Sequence, residues 1–270
     1  MSQGKVKRAI GETRSARPLR FLARVGFAVS GIVHVLIGGL ILSIAVGGGN
    51  GQADQSGAMG LIARSPGGPL VLWIVSIGLA ALGLWVMLGA FFRTGGGRKE
   101  RVAHFIVEFG KGLAYVLLSV TAFTFALGGS TSSDSVTRSM SSALLAAPGG
   151  VLLLLLAAGV VMAVGIYFMV KGARRRFTRD IAVPVAPAAR KAVIALGVIG
   201  YVAKGIALLI VGILLAIAAF KVDPSKASGL DGAIRSLVVV PFGQLILIVI
   251  GLGFVAYGVY SLLRARLARL

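Results

Sequence analysis

Long apolar blocks alternate with short polar segments along the chain. About 20 residues of helix cross a hydrocarbon core of about 30 Å, because an α-helix rises about 1.5 Å per residue. Six blocks reach this length: Val25–Val46, Leu70–Phe92, Val102–Leu127, Gly149–Val170, Ala192–Phe220 and Phe242–Leu263. The polar residues lie between the blocks and do not recur with the 3.6-residue period of an amphipathic soluble helix. The pattern predicts an all-α membrane protein with six transmembrane helices.

The even-numbered spans share a sequence pattern. Each follows a proline turn on the same side of the membrane: Ser65-Pro66-Gly67-Gly68, Ala147-Pro148-Gly149-Gly150 and Val240-Pro241-Phe242-Gly243. Proline suits a first helical turn, where its missing N–H costs nothing. Seventeen residues after each proline comes a glycine, Gly83, Gly165 or Gly258. Small residues let membrane helices approach closely, so we expect these three glycines at helix–helix contacts.

The odd-numbered spans also align, which makes the chain a threefold repeat. Ser30-Gly31, Lys111-Gly112 and Lys204-Gly205 take equivalent places. After a basic N-terminal tail (1–20), the repeats are 21–94, 102–177 and 192–267, each with two spans joined by an outer loop in which a short helix can begin. All three enter the membrane from the same side. They are therefore parallel hairpins, which we expect to surround a pseudo-threefold axis along the membrane normal.

These motifs resemble those of a bacterial, largely actinobacterial, family of membrane proteins, the "domain of unknown function 1206" proteins. That family carries three copies of a Gly-Phe/Tyr…Lys-Gly helix followed by a Pro-Phe-Gly…Gly…Tyr/Trp helix. The third copy here matches best, through Gly200-Tyr201, Lys204-Gly205, Pro241-Phe242-Gly243 and Tyr257-Gly258. The first copy has Ser30 at the lysine position, and the second lacks the leading pair. The resemblance implies the fold and the topology but no activity.

Composition excludes several classes of function. Of 270 residues, 57% are hydrophobic and 13% charged, and there is no cysteine, which removes disulfides and thiolate chemistry. Two histidines and eight acidic residues leave little material for a metal site. No phosphate loop, nucleophile elbow or His-Glu-x-x-His motif occurs. We therefore expect a protein that is not an enzyme and that holds no metal or cofactor.

The net charge of +20 is distributed by side of the membrane. Twenty-one Lys and Arg residues lie in the N-terminal tail, the second and fourth loops and the C-terminal tail, against five in the other three loops. The positive-inside rule places both termini in the cytoplasm of a multi-pass cell-membrane protein. The expected partners are the bilayer, anionic lipid headgroups at the cytoplasmic face and other membrane proteins, but not nucleic acid.

A few polar side chains lie inside the predicted spans, where an ionisable group is costly. If the repeats surround an axis, these residues form one polar layer. The layer comprises Ser30, His34, Glu108, Lys111, Tyr115 and Lys204. It could bind an anion, relay protons or hold a lipid headgroup, while a Glu108–Lys111 pair could equally hold helices together.

Two functions stay open. One is an accessory or structural subunit of a larger membrane assembly, which the sequence favours because it shows no broken half-helices. The other is a small transporter or channel that uses the polar layer. A lysine as deep as Lys204 is not needed by a pure scaffold, which keeps the second function under consideration.

Overall fold

A computed structural model describes residues 17–47, 49, 51–92 and 98–269. Most of the predicted N-terminal tail (1–20) therefore lies outside the described residues. The described part contains nine α-helices: α1 Arg17–Ala45, α2 Gln55–Ala63, α3 Gly68–Phe92, α4 Arg98–Ala126, α5 Ser133–Ala146, α6 Gly150–Ala173, α7 Pro187–Lys221, α8 Leu230–Val238 and α9 Gly243–Leu267. Short 3₁₀ helices occupy Arg176–Asp180 and Pro224–Lys226. Within these residues the only β-structure is an isolated bridge between Ile181 and Ala268.

Six of the helices, α1, α3, α4, α6, α7 and α9, are long and apolar enough to cross a membrane. The prediction of six spans in an all-helical fold is thus confirmed, and the bounds differ from the predicted ones by a few residues. The largest differences are at N-terminal ends. There, α1 begins at Arg17 and α7 at Pro187, because polar and basic residues extend a helix beyond the apolar block.

The three remaining helices, α2, α5 and α8, lie in the loops that join the two long helices of each repeat. Each repeat therefore has the order long helix, short helix, long helix. We call these loops the outer loops, because the positive-inside rule predicts that they face outward. The sequence suggested that the prolines lie in the first helical turn, but the structure places them just before it. They lie two residues before the first helical residue, in a β-turn that the N–H of Gly68, Gly150 or Gly243 closes onto the carbonyl three residues earlier. The residue after each proline has a positive φ, as a Pro-Gly type II turn requires.

The chain forms two compact units. The smaller unit, residues 56–132, contains most of α2 with α3 and α4. In it α3 and α4 pack side by side, and the hydroxyls of Ser76 and Ser119 each donate to the other residue's carbonyl oxygen, at 3.0 and 2.9 Å. Trp73 and Phe123 stack edge to face across the same pair of helices, 5.1 Å apart.

The larger unit contains the described residues outside 56–132. Helix α1 packs against α9, α6 against α7, and α7 against α9. At the outer end, one carboxylate oxygen of Asp134 accepts hydrogen bonds from the Ser228 hydroxyl and from the N–H groups of Gly229 and Gly232. Asp231 accepts from the N–H of Ala53 at 2.8 Å. These bonds fasten the three outer segments of the unit to one another.

Candidate functional site

The candidate site begins at His34 in α1. Its ring is 8% exposed, and its Nδ1 lies 2.7 Å from the carbonyl oxygen of Ser30, one turn earlier. A carbonyl oxygen only accepts, so Nδ1 carries a hydrogen and donates it. This contact leaves Nε2 directed away from the helix as the atom that meets other groups.

Lys204 of α7 supplies the partner. Its Nζ lies 3.0 Å from Nε2 of His34. The same Nζ lies 4.6 Å from the ring centre of Tyr257 and 5.2 Å from that of Phe168, so two aromatic faces stabilise the ammonium. Helices α1, α6, α7 and α9 therefore each contribute one side chain to this polar cluster.

The depth of Lys204 follows from where α7 begins. The residue comes seventeen positions after Pro187, or about 25 Å along the helix axis. Two positive charges 3 Å apart in such surroundings repel each other strongly. The pair therefore holds one positive charge, with Lys204 donating to the Nε2 lone pair of a neutral His34.

The remaining members of the predicted polar layer lie in the smaller unit. Lys111 and Glu108 form an ion pair of 2.7 Å along α4, with 56% and 26% of their side chains exposed. Tyr115, one turn further, is partly buried. The structure thus brings together Ser30, His34 and Lys204 in one unit, and Glu108 and Lys111 in the other. A single six-residue layer stays a prediction.

The three predicted packing glycines lie in closely packed helix pairs. A Cβ at Gly83 would lie 2.9 Å from the carbonyl oxygen of Gly112. At Gly165 the same atom would meet the Gly205 carbonyl oxygen at 2.8 Å, and at Gly258 the Gly31 carbonyl oxygen at 2.6 Å. Each predicted packing glycine therefore contacts a glycine that directly follows Ser30, Lys111 or Lys204 in the sequence. We call these three contacts the glycine seams.

Sequence reasoning missed an aromatic cluster at the basic end of the larger unit. Its buried members are Phe177, Tyr201, Tyr257 and Tyr260. Tyr201 and Tyr260 are 2% and 1% exposed, although tyrosine often keeps its hydroxyl in water. The spacing of Tyr257, Tyr260 and Arg264 by three and four residues was the available signal, since it places them on one face of α9.

A repeated cation–aromatic contact adjoins this cluster. Lys171 Nζ lies 5.4 Å from the ring centre of Tyr201, and the guanidinium of Arg264 lies 4.3 Å from that of Phe27. Both cations come twenty-three residues after a repeat proline, and both rings take the aromatic position of the Gly-Phe/Tyr motif. Asp180 binds both, at 2.9 Å from Lys171 and 3.7 Å from Arg264.

The arrangement contains a part-buried, hydrogen-bonded Lys–His pair and a separate ion-pair cluster near the helix ends. Among the residues that the structure describes, no group of three or more His, Asp or Glu side chains is placed to hold a metal ion. Two pairs of ionisable side chains inside the spans contact each other, Lys204 with His34 and Lys111 with Glu108.

Six long apolar helices with a repeated long–short–long order define a multi-pass helical membrane protein. The chain belongs to the family described as Domain of Unknown Function (DUF1206), whose model matches at 25–93, 108–175 and 199–268. These three matches confirm the threefold repeat predicted from the motif spacing, and they confirm the resemblance to this family. The chain is also 30% identical to "Uncharacterized protein YxxB" of Bacillus subtilis (strain 168), over 252 residues covering 91% of this chain and 90% of that protein. No solved structure matches it.

Proposed function

We propose that the chain is a non-enzymatic accessory or structural subunit of a membrane assembly, in the cell membrane, with both termini in the cytoplasm. The observation that carries the proposal is the Lys204–His34 contact. The charge of Lys204 is met by a ring nitrogen and two aromatic faces from three other helices. Such a contact favours one arrangement of α1, α6, α7 and α9 over others, as a single buried polar pair does in some helical assemblies.

The glycine seams support the same function. Reciprocal backbone approach at Gly165–Gly205 and at Gly31–Gly258 holds helix pairs in van der Waals contact along their length. Outside these seams, large apolar side chains remain on the surface, among them Leu156, Val160 and Ile166 on α6. A rigid bundle with an apolar exterior suits a subunit whose partners are lipid and other membrane helices.

The decisive experiment uses the native membrane. The tagged full-length chain is extracted gently, and co-purifying proteins are quantified against a tagged, unrelated multi-pass protein. We expect at least one membrane protein at a near-stoichiometric level, and a fall in that protein's abundance when the gene for this chain is deleted. A chain that purifies alone, and whose deletion leaves every membrane protein at its usual level, would contradict the subunit proposal.

A second function, a small transporter or channel, is supported by one specific observation. Lys204 Nζ donates to Nε2 of His34, and Nδ1 of His34 in turn donates to the carbonyl oxygen of Ser30. Intramembrane Lys and His residues of this kind occur in proton and anion pathways. The pair therefore has the chemistry to pass a proton or to meet an anion.

Proteoliposomes distinguish the two functions. If the pair transports, Lys204→Met leaves thermal stability near that of the parent and removes a proton or anion flux that the parent shows. If the pair holds helices, the parent shows no flux above protein-free vesicles and Lys204→Met lowers the melting temperature. Lys111→Met, at an exposed lysine of α4, is the matched control and should change neither quantity.

A further inference from the structure

A cleft of about 320 Å³ lies between the end of α6 and the beginning of α7. Its lining residues are Arg175, Val185, Pro187, Arg190, Lys191 and Ile194. Half of them are cationic and half apolar, and none is acidic. Side chains of this composition match a ligand that joins an anionic group to an apolar one.

The three cations of the cleft have no charged partner among the residues that the structure describes. None of Arg175, Arg190 and Lys191 forms a hydrogen bond or ion pair through its side chain with the residues that the structure describes. The acidic residue closest to them in sequence, Asp180, is bound to Lys171 and Arg264. The positive charge of the cleft is therefore available to an anion from outside.

The three cations of the cleft repel one another, so their close placement is unfavourable unless an anion is bound. Arg190 and Lys191 belong to the first turns of α7, which contain no acidic residue. The helix dipole is positive at that end and favours acidic side chains there. Two adjacent cations on α7 facing a third across the cleft thus raise the energy of the empty site, and a bound anion lowers it.

Arg175 also has an unusual backbone conformation. This residue has φ 52° and ψ 27°, the left-handed conformation that ends α6. Glycine adopts this conformation most easily and is the usual residue at such a position. An arginine held there incurs a conformational cost, and the described residues offer its guanidinium no hydrogen-bonding partner.

We infer that this cleft binds the headgroup of one anionic phospholipid. Arg175, Arg190 and Lys191 would take the phosphate, for which guanidinium groups are well shaped. Val185, Pro187 and Ile194 would take the adjoining glycerol and first acyl carbons. The cleft lies at the ends of two helices that are long and apolar enough to cross a membrane, where lipid headgroups are expected. Basic pockets at this level between transmembrane helices suit lipid phosphates. A lipid site in this cleft requires only that the chain is inserted in a membrane, and it is compatible with either proposed function.

The test titrates the full-length protein in neutral detergent with short-chain phosphatidylglycerol and counts bound lipid by native mass spectrometry. Parallel arms use phosphatidylcholine of the same chain length and inorganic phosphate as a competitor. We expect one saturable phosphatidylglycerol site that phosphatidylcholine does not fill and millimolar phosphate does not empty. Equal binding of both lipids, or competition by phosphate at the affinity of the lipid, would overturn the lipid site.

Variants separate a built site from general attraction to positive charge. Arg190→Gln with Lys191→Gln should weaken phosphatidylglycerol binding about tenfold or more, since each cation near a lipid surface contributes about 1 kcal/mol. The control, Arg266→Gln with Arg269→Gln, removes the same charge from exposed residues at the same end of the helices and should have a much smaller effect. Equal losses in the two double variants would contradict the inference.

Arg175→Gly provides a readout that a structural role would not give. Glycine relieves the left-handed backbone, so the melting temperature should equal or exceed that of the parent. Lipid binding should nevertheless fall, because one phosphate contact is lost. A variant that binds phosphatidylglycerol as tightly as the parent would remove Arg175 from the site and overturn the assignment of the cleft.

Discussion

At the residue scale, the Lys204–His34 contact shows how a costly group is accommodated in a membrane helix. The His34 ring is held in one tautomer by its own helix, through the carbonyl oxygen of Ser30, and its other ring nitrogen contacts Lys204. The two helices involved, α1 and α7, come from the first and third repeats. The first repeat has Ser30, not a lysine, at the position equivalent to Lys204, and the third repeat has no histidine at the position equivalent to His34. The contact is therefore specific to α1 and α7.

A double-mutant cycle measures this contact. Lys204→Met and His34→Phe should each lower the free energy of unfolding, and the double variant should lose less than the sum of the two. The coupling should be about 0.5–2 kcal/mol, the range of interhelical hydrogen bonds in membranes. The same cycle at the more exposed pair within one helix, Lys111→Met with Glu108→Gln, should give about 0.5 kcal/mol or less. Strictly additive losses at Lys204 and His34 would contradict the contact.

The Pro-x-Gly turn is the second feature at this scale. A Cβ at Gly68, Gly150 or Gly243 would overlap the carbonyl oxygen of Ile62, Leu144 or Leu237, six residues earlier in each case. The glycine of the motif is thus required by contact with the preceding short helix. The middle position is different, since Phe242 takes it with φ 61° in the third repeat where the other two have glycine.

Opposite effects are expected at adjacent positions of this turn. Gly243→Ala should lower stability by about 1–3 kcal/mol, because its methyl group has no room beside the Leu237 carbonyl. Phe242→Gly should raise it slightly, because Phe242 is 81% exposed and glycine removes the strain of a positive φ. Thermal unfolding of the purified variants is the measurement. If Gly243→Ala is neutral, the turn is not the constrained element that its geometry indicates.

At the element scale, the glycine seams decide which helices pair. Each seam joins the second long helix of one repeat to the first long helix of another: α3 with α4, α6 with α7, and α9 with α1. The two helices of a hairpin are therefore not each other's seam partner. Gly165 and Gly205 approach through their carbonyl oxygens, and Met169 covers the contact from the α6 side.

A matched pair of substitutions in α6 tests the seam. Gly165→Ala should destabilise the protein by about 1–3 kcal/mol, since its Cβ would lie 2.8 Å from the Gly205 carbonyl oxygen. Gly159→Ala, in the same helix, has no heavy atom within 4 Å and should be neutral or slightly stabilising, because alanine favours helix more than glycine does. Similar losses from both variants would mean that helix propensity, and not packing, sets the effect.

Much of the element scale could be predicted from the sequence. Apolar block length gave the spans, and the spacing of Pro66, Pro148 and Pro241 gave the repeat. The partner of Gly165 could not be predicted, because small-residue spacing marks a contact face without naming the helix opposite. The Lys204–His34 contact could not be predicted for the same reason. The role of Asp180 was hidden because one acidic residue among seven cations of a loop carries no periodic signal.

At the scale of the whole molecule, the three hairpins are predicted to enter the membrane from the same side. The distribution of charge then decides which side of the membrane that is. Lys and Arg residues concentrate at the end of the helices where α6, α7 and α9 carry Lys171, Arg190 and Arg264. The outer segments instead contain Asp54, Asp134, Asp223 and Asp231, four of the eight acidic residues. Such an asymmetry favours retention of the basic end in the cytoplasm during insertion.

Reporter fusions test this orientation along the whole chain. An enzyme that is active only outside the cytoplasm should stay silent when fused after Arg98 or Arg176 and become active after Gly51 or Ser132. A reporter that is active only in the cytoplasm should give the complementary pattern, which serves as the control for expression. Since these four sites fall in four different loops, a single span that failed to insert would invert the signal at every later site. Activity after Arg176 together with silence after Gly51 would overturn the positive-inside assignment, whereas inversion at only some sites would instead reduce the number of spans.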